Sequence, residues 1–274
     1  MGTLDIGGGL VLLGAGKMGG AMLEGWLKLG LAPASVTVLD PNLPESVGAG
    51  WRARGIAVNP DIAGLPVQAV VLLAIKPQMM AAALAGVAPL FAPTTMAVSI
   101  MAGKTIAGIA SHLPAGAPIV RAMPNTPAAV GRGITAAVAN DDVSAAQRTA
   151  ADALLRATGA VEWVEEEGLI DAVTAVSGSG PAYVFYLVEA LASAGVAAGL
   201  PEDLAMRLAR ATVSGSGELL HQASDPASVL RQNVTSPGGT TAAALSILTA
   251  PDGLEPLMRR AVAAARQRAI ELAS

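Results

Sequence analysis

The chain has no cysteine, two histidines and very few aromatic residues, 3% of its 274 positions. Without cysteine there is no disulfide, thiolate metal site or cysteine nucleophile. His112 and His221 alone do not build a histidine-rich metal centre or a relay of imidazoles, so no metal is expected. Positive charge is also scarce: 17 Lys and Arg against 21 Asp and Glu leave a net charge of −4 and no basic field for nucleic acid or an anionic membrane surface. Residues 1–9 carry Asp5 and no positive charge, so the opening of a secretory signal is missing and the cytoplasm is the expected location. Residues 77–103 contain no charged side chain and imitate a membrane span, but Pro89 and Pro93 break the run and Gln78, Thr94, Thr95 and Ser99 interrupt it. Such a segment reads as buried core of an α/β domain, not as lipid-facing helix.

What is present begins with glycine. An apolar run at 10–13 leads into Gly14-Ala15-Gly16-Lys17-Met18-Gly19 and then a helical pattern from about Gly20 to Leu29. This is G-x-G-x-x-G between a strand and a helix, the context it needs to bind a dinucleotide. The first glycine permits a tight turn, the second lets backbone approach a pyrophosphate, and the third lets helix and strand pack closely.

Further short aliphatic runs follow at 35–39, 69–74, 96–99 and 118–122, with another pair at 134–139 and 160–164 around a helix at 144–158. Strands alternating with helical stretches imply βαβ crossovers and a mainly parallel sheet. After Glu165 the character changes to long alanine-rich helical segments at 170–196, 201–223, 240–248 and 254–272. The expected division is therefore a dinucleotide-binding domain at 1–164 and a helical domain at 165–274. The helical half has too little sequence to cover its own apolar faces, which points to burial in a partner subunit.

Asp40 ends the second strand 21 residues beyond Gly19, where a carboxylate can accept hydrogen bonds from the ribose hydroxyls of NAD and repel the 2′-phosphate of NADP. Arg52 and Arg54 follow and could serve that phosphate if the loop folds back. Lys76, in Ala74-Ile75-Lys76-Pro77, ends a central strand and is a candidate nicotinamide or ribose contact. Met101-Ala102-Gly103 and Arg121-Ala122-Met123-Pro124-Asn125-Thr126-Pro127 should reach the same edge, with Asn125 held between prolines so as to point its amide at a ligand. Ser177-Gly178-Ser179-Gly180-Pro181-Ala182-Tyr183 marks close helix packing or a kink. Glu167 is a candidate contact for a substrate amine. Late in the chain, Asn233-Val234-Thr235-Ser236-Pro237-Gly238-Gly239-Thr240-Thr241 precedes a helix. Its glycines, hydroxyls and helix N-terminus suit a small carboxylate.

Taken in order, GAGKMG, AIKPQ, RAMPNTP, VSGSGPAY and NVTSPGGTT resemble pyrroline-5-carboxylate reductase over nearly the whole chain. The resemblance implies an α/β Rossmann-type domain with a mainly parallel sheet, followed by an all-α dimerisation domain intertwined with a second subunit, with dimers assembling further into rings. It implies hydride transfer from NADPH or NADH to the C=N bond of 1-pyrroline-5-carboxylate, giving L-proline. Gly14 to Gly19, with Lys17 and Met18, would hold the pyrophosphate, Ala74 to Pro77 would line the nicotinamide end, and Asn233 would approach the cofactor from the helical half. Ser236, Gly238, Gly239, Thr240 and Thr241 would receive the substrate, with Thr241 nearest the ring nitrogen. Thr240 departs from a pattern in which alanine also occurs. The site contains no histidine and no paired carboxylates, which suits reduction of an already electrophilic imine by positioning and exclusion of water. A β-hydroxyacid dehydrogenase would need a base, typically a helical lysine, and no lysine follows Lys104. A nucleotide sensor without catalysis would bind the cofactor and oxidise nothing.

Overall fold

The computed structural model describes Leu4 and residues 6–273. Asp5, on which the reading of the opening residues partly rests, lies outside them. In chain order the elements are β1 (Leu10–Leu13), α1 (Lys17–Lys28), β2 (Val36–Leu39), α2 (Glu45–Ala53), β3 (Ala57–Val58), β4 (Val70–Leu73), α3 (Met80–Val87), β5 (Met96–Ser99), α4 (Ile106–Ala110), β6 (Ile119–Met123), β7 (Gly133–Ala139), α5 (Ala145–Arg156), β8 (Gly159–Trp163), α6 (Leu169–Val173), α7 (Gly180–Ala197), α8 (Glu202–Gln222), α9 (Ala227–Asn233), α10 (Thr240–Leu248) and α11 (Leu254–Ala273). They form two compact units, residues 1–178 with 266–274, and residues 179–265. Packing thus parts the chain some way after the change of composition at Glu165, because Ile170 of α6 joins Ala136 and Val138 of β7 in a small cluster on the sheet.

The sheet runs β3-β2-β1-β4-β5-β6-β7-β8. Strands β1 to β4 are buried at every residue except the exposed start of β3, and their alternate side chains feed opposite faces. Leu10, Leu12, Val70 and Leu72 meet Met22, Leu23 and Trp26 of α1 and Leu154 of α5, while Val11, Leu13, Val71 and Leu73 meet Met80 and Leu84 of α3 and Ile109 of α4. This two-sided covering is why the strands read as unbroken apolar runs. The uncharged segment 77–103 folds as α3 and β5 within this unit. One strand departs from parallel: β7 pairs antiparallel with β6. Only residues 124–132 join them, too few for a crossover of about a dozen residues or more, so the chain turns back at once.

In the other unit, α7 and α8 pack through small side chains, and a Cβ added to Gly195 would sit 3.2 Å from the Ala205 Cβ. Its only buried residues among those described are Ala192, Ala205 and Ala209, while Phe185, Tyr186, Leu219 and Ile247 are each more than 60% exposed. Helices this apolar with so little covered surface have their partner outside the unit. Pro181 does not kink a continuous helix as the sequence allowed. A π-helical turn at residues 174–178 ends first, and Pro181 falls in the opening turn of α7, where its missing N–H costs no hydrogen bond.

Candidate active site

Strand order reverses between β2 and β4 on either side of β1, so a crevice opens at the carboxyl ends of these strands. Gly14 leaves β1 at φ +89°, and a Cβ there would lie 2.7 Å from the Ala74 carbonyl oxygen. A Cβ on Gly19 would lie 2.4 Å from the Gly14 carbonyl oxygen, so only glycine lets α1 come this close to the turn. Gly16 is under no such restraint: it caps α1 in an extended conformation, with nothing within 4 Å of a notional Cβ. The first turn of α1 has no side-chain cap and no acid. Its unsatisfied N–H groups therefore point at open space in front of a glycine, which fits a pyrophosphate. A cleft of about 810 Å³ beside this turn is lined by Ala15, Gly16, Lys17, Pro44, Val47 and Gly131, among others.

At the end of β2, Asp40 Oδ2 accepts from the Ala15 N–H at 2.8 Å and Oδ1 accepts from the Asn42 N–H at 2.9 Å. Asn59, which the sequence reading missed, grips the Asp40 backbone twice: Nδ2 donates to the Asp40 carbonyl and Oδ1 accepts from the Asp40 N–H, each at 2.8 Å. Its φ of +48° is a conformation that asparagine tolerates, and an Asn-Pro pair after a short apolar run was the available signal. Arg52 and Arg54 are engaged elsewhere, with Glu45 and Glu24, each at 2.7 Å. Burial works to raise the Glu24 carboxyl, but hydrogen bonds from Arg54 and Trp51 outweigh it and hold Glu24 below the ordinary carboxylate range.

Parallel pairing of β4, β5 and β6 brings Ala74 to Pro77, Met101 to Gly103 and the turn after Met123 to one edge, as the sequence predicts. Lys76 is exposed and Met101 buried. Asn125 does not aim its amide at a ligand. Its Oδ1 accepts from the Ile134 N–H at 3.0 Å and its Nδ2 donates to the Ser177 carbonyl at 3.2 Å, so it ties β7 and the π-helical turn to the end of β6.

Glu167, expected near a substrate amine, has Oε1 committed twice: to Arg121 Nη1 at 2.8 Å and to the Ile106 N–H at 2.7 Å. Asp171 lies 3.7 Å from the other end of the guanidinium, and the Arg121 side chain is 4% exposed. Nothing local in sequence announces a contact across 46 residues. Glu167→Ala leaves a buried cation short of its closer partner. The expected cost is about 2 kcal/mol, within the range for charged hydrogen bonds, since Glu167 itself is partly exposed. Chemical denaturation checks it, and an unchanged midpoint would show that the pair contributes nothing.

In the helical unit, α9 ends at Asn233 and Gly238 turns the chain at φ +70° before Gly239 caps α10. The first turn of α10 likewise has no side-chain cap and no acid. Around it, the hydroxyl of Thr235 donates to the Arg231 carbonyl of α9, and those of Ser246 and Thr249 donate to the Ala243 and Leu245 carbonyls of α10. Those of Ser236, Thr240 and Thr241 have no hydrogen bond among the described residues, Thr241 being the half-buried one. The turn offers N–H donors to an anion and spare hydroxyls to a second polar atom of the same small molecule.

Two family models match: pyrroline-5-carboxylate reductase dimerisation over residues 167–272, and NADP oxidoreductase coenzyme F420-dependent over residues 9–103. Pyrroline-5-carboxylate reductase of Pseudomonas aeruginosa is 38% identical over 264 residues, 96% of each chain, and that of Synechocystis sp. is 40% identical over 266 residues, 96% of this chain and 97% of its own. Among solved structures, pyrroline-5-carboxylate reductase from Coxiella burnetii superposes with a TM-score of 0.90 at 33% identity, covering 97% of this chain and 99% of that one. Pyrroline carboxylate reductase from Plasmodium falciparum, solved with NADP bound, gives 0.80 at 26% identity over the whole of both chains.

Proposed function

The chain belongs to the pyrroline-5-carboxylate reductase family, an NAD(P)H-dependent oxidoreductase that reduces 1-pyrroline-5-carboxylate to L-proline, and on that premise we propose how its own residues divide the work. Residues 1–164 bind the dinucleotide and residues 165–274 bind the imine and the second subunit. The observation that carries this reading is the glycine-capped, acid-free opening of α10 with its unpaired hydroxyls.

Bound reduced nicotinamide supplies the hydride. The turn from Gly14 to Gly19 holds the pyrophosphate on the first N–H groups of α1. Ala74 to Pro77 and Met101 to Gly103 line the nicotinamide end and keep water from it, and Asn233 is a further cofactor contact. Ser236, Gly238, Gly239 and Thr240 receive the substrate, whose carboxylate sits on the N–H groups opening α10, and Thr241 hydrogen-bonds the imine nitrogen. A protonated imine is already electrophilic, so acceleration comes from alignment and exclusion of solvent. Glu167 acts through Arg121 and the start of α4, which follows the Met101–Gly103 loop.

The exposed apolar helices pair with a second copy in an intertwined homodimer, and dimers assemble into a ring. The run Leu169–Ala197 is long and apolar enough to cross a membrane; the dimerisation model covers it, which supports a protein partner for its apolar face. The protein works in the cytoplasm, where reduced nicotinamide nucleotides are available. Light scattering on the eluting protein is expected to give a dimer or a multiple of it, and a monomer at micromolar concentration sinks the pairing. Incubation with NADH or NADPH and 1-pyrroline-5-carboxylate, followed at the nicotinamide absorbance, tests the activity. Nucleotide binding without oxidation would favour a sensor.

A further inference from the structure

We propose that Asp40 selects the cofactor and that this chain binds NAD(H) in preference to NADP(H), an inference that rests on the dinucleotide reading of the glycine-rich turn. The carboxylate is fixed rather than free to swing aside. Its two oxygens accept from Ala15 and Asn42, and Asn59 clamps the backbone of Asp40 itself. A carboxylate offers about four lone-pair positions, and two are occupied here, which leaves room for the paired hydroxyls of an adenosine ribose. A 2′-phosphate in the same place brings like charge and no donor. To make room for it, the carboxylate would have to leave the Ala15 N–H of the very turn that carries the pyrophosphate.

The segment that follows β2 does nothing to offset that repulsion. No lysine or arginine occurs from Leu29 to Trp51, and the loop leaving β2 is Pro41-Asn42-Leu43-Pro44, with neither cation nor hydroxyl. The next helix start, α2, carries Glu45 in its first turn, so its positive end already has an acid beside it. Arg52 bonds that same Glu45, and Arg54 donates to both oxygens of Glu24, at 2.7 and 2.9 Å. Exposed pairs of this kind are weak and would yield to a phosphate, but Asp40 would remain. Every group from Leu29 to Arg54 placed near the 2′ position is therefore neutral, negative or already paired; the cations lining the same cleft as Pro44 and Val47 are Lys17, which belongs to the pyrophosphate turn itself, and Lys28, at the far end of α1.

The test is calorimetric titration of NAD⁺ and NADP⁺ into the purified protein, where no turnover intervenes. Wild type is expected to bind NAD⁺ at least about tenfold more tightly, since juxtaposed like charges cost more than a factor of ten in affinity. Asp40→Asn keeps an oxygen acceptor and loses the charge, while Asp40→Ser also opens space; both are expected to close the gap to within about threefold. NADP⁺ bound as tightly as NAD⁺ by wild type, or a ratio that neither substitution moves, overturns the proposal. The wild-type ratio decides even if the variants fold poorly. Imine reduction with each reduced nucleotide is measured in parallel, so a lost preference and a lost activity are told apart.

Discussion

Thr241→Ala is expected to lower kcat for imine reduction by about 10- to 1,000-fold, the range of a lost transition-state hydrogen bond, with nucleotide affinity unchanged. The expectation starts from position. Gly239 caps α10, which places Thr241 second in the helix, within the turn whose N–H groups lack acceptors. Thr241 is half-buried and its hydroxyl has no hydrogen bond among the described residues; second in α10, it has no preceding turn whose carbonyl could take that hydroxyl, as the Ala145 carbonyl takes Thr149 in α5. Alanine is the better helix former, so the substitution does not unwind α10. Stability is thus expected to hold while turnover falls. Thr241→Ser should recover most of the rate, and Thr241→Val, the same shape without the hydroxyl, should be as slow as alanine. Steady-state constants identical to wild type in the alanine variant remove Thr241 from the chemistry.

That residue could be named from sequence because its signal is local. Two glycines, a cluster of hydroxyls and the start of an apolar helix lie within nine positions, and the strand before G-x-G-x-x-G is equally local. The buried strands were legible for a related reason: covered on both faces, they have no polar alternation to blur them, and 10–13 and 96–99 match β1 and β5 residue for residue. What stayed hidden depends on contacts distant in the chain. The helix α2 carries Gly48 and Gly50, which weaken its pattern, and β3 is two residues long. The start of α1 at Lys17 rather than near Gly20 follows from Gly16 acting as the cap. Arg121 looked like part of a ligand loop until β6 buried it against Glu167 and Asp171, and Asn125 looked available until its amide proved to be bonded at both ends. A sequence shows which side chains have chemistry to offer. Whether the fold has already used that chemistry is a tertiary fact.

Gly16→Val is expected to weaken binding of either nicotinamide dinucleotide by about 100-fold or more, with little loss of stability. The glycines of this turn do different work, and that difference makes the experiment informative. A side chain at Gly19 would collide with the Gly14 carbonyl, and one at Gly14 would need φ +89° and meet Ala74, so substitution at either disturbs folding and binding together. Gly16 has ordinary backbone angles for any residue, φ −66° and ψ −164°, and empty space where a side chain would project. The folded chain therefore accepts valine there at no more than about 1 kcal/mol, the difference between a fair and a poor helix cap. A pyrophosphate does not, because valine methyls would hold it away from the N–H groups of the first turn. Losing two charge-assisted hydrogen bonds, each about 1.5–3 kcal/mol, corresponds to at least a hundredfold in affinity. Thermal unfolding and nucleotide titration on the same preparation separate the two quantities. Tight binding in a stable Gly16→Val protein would mean that the phosphates lie somewhere other than the opening of α1, and the site would have to be placed anew.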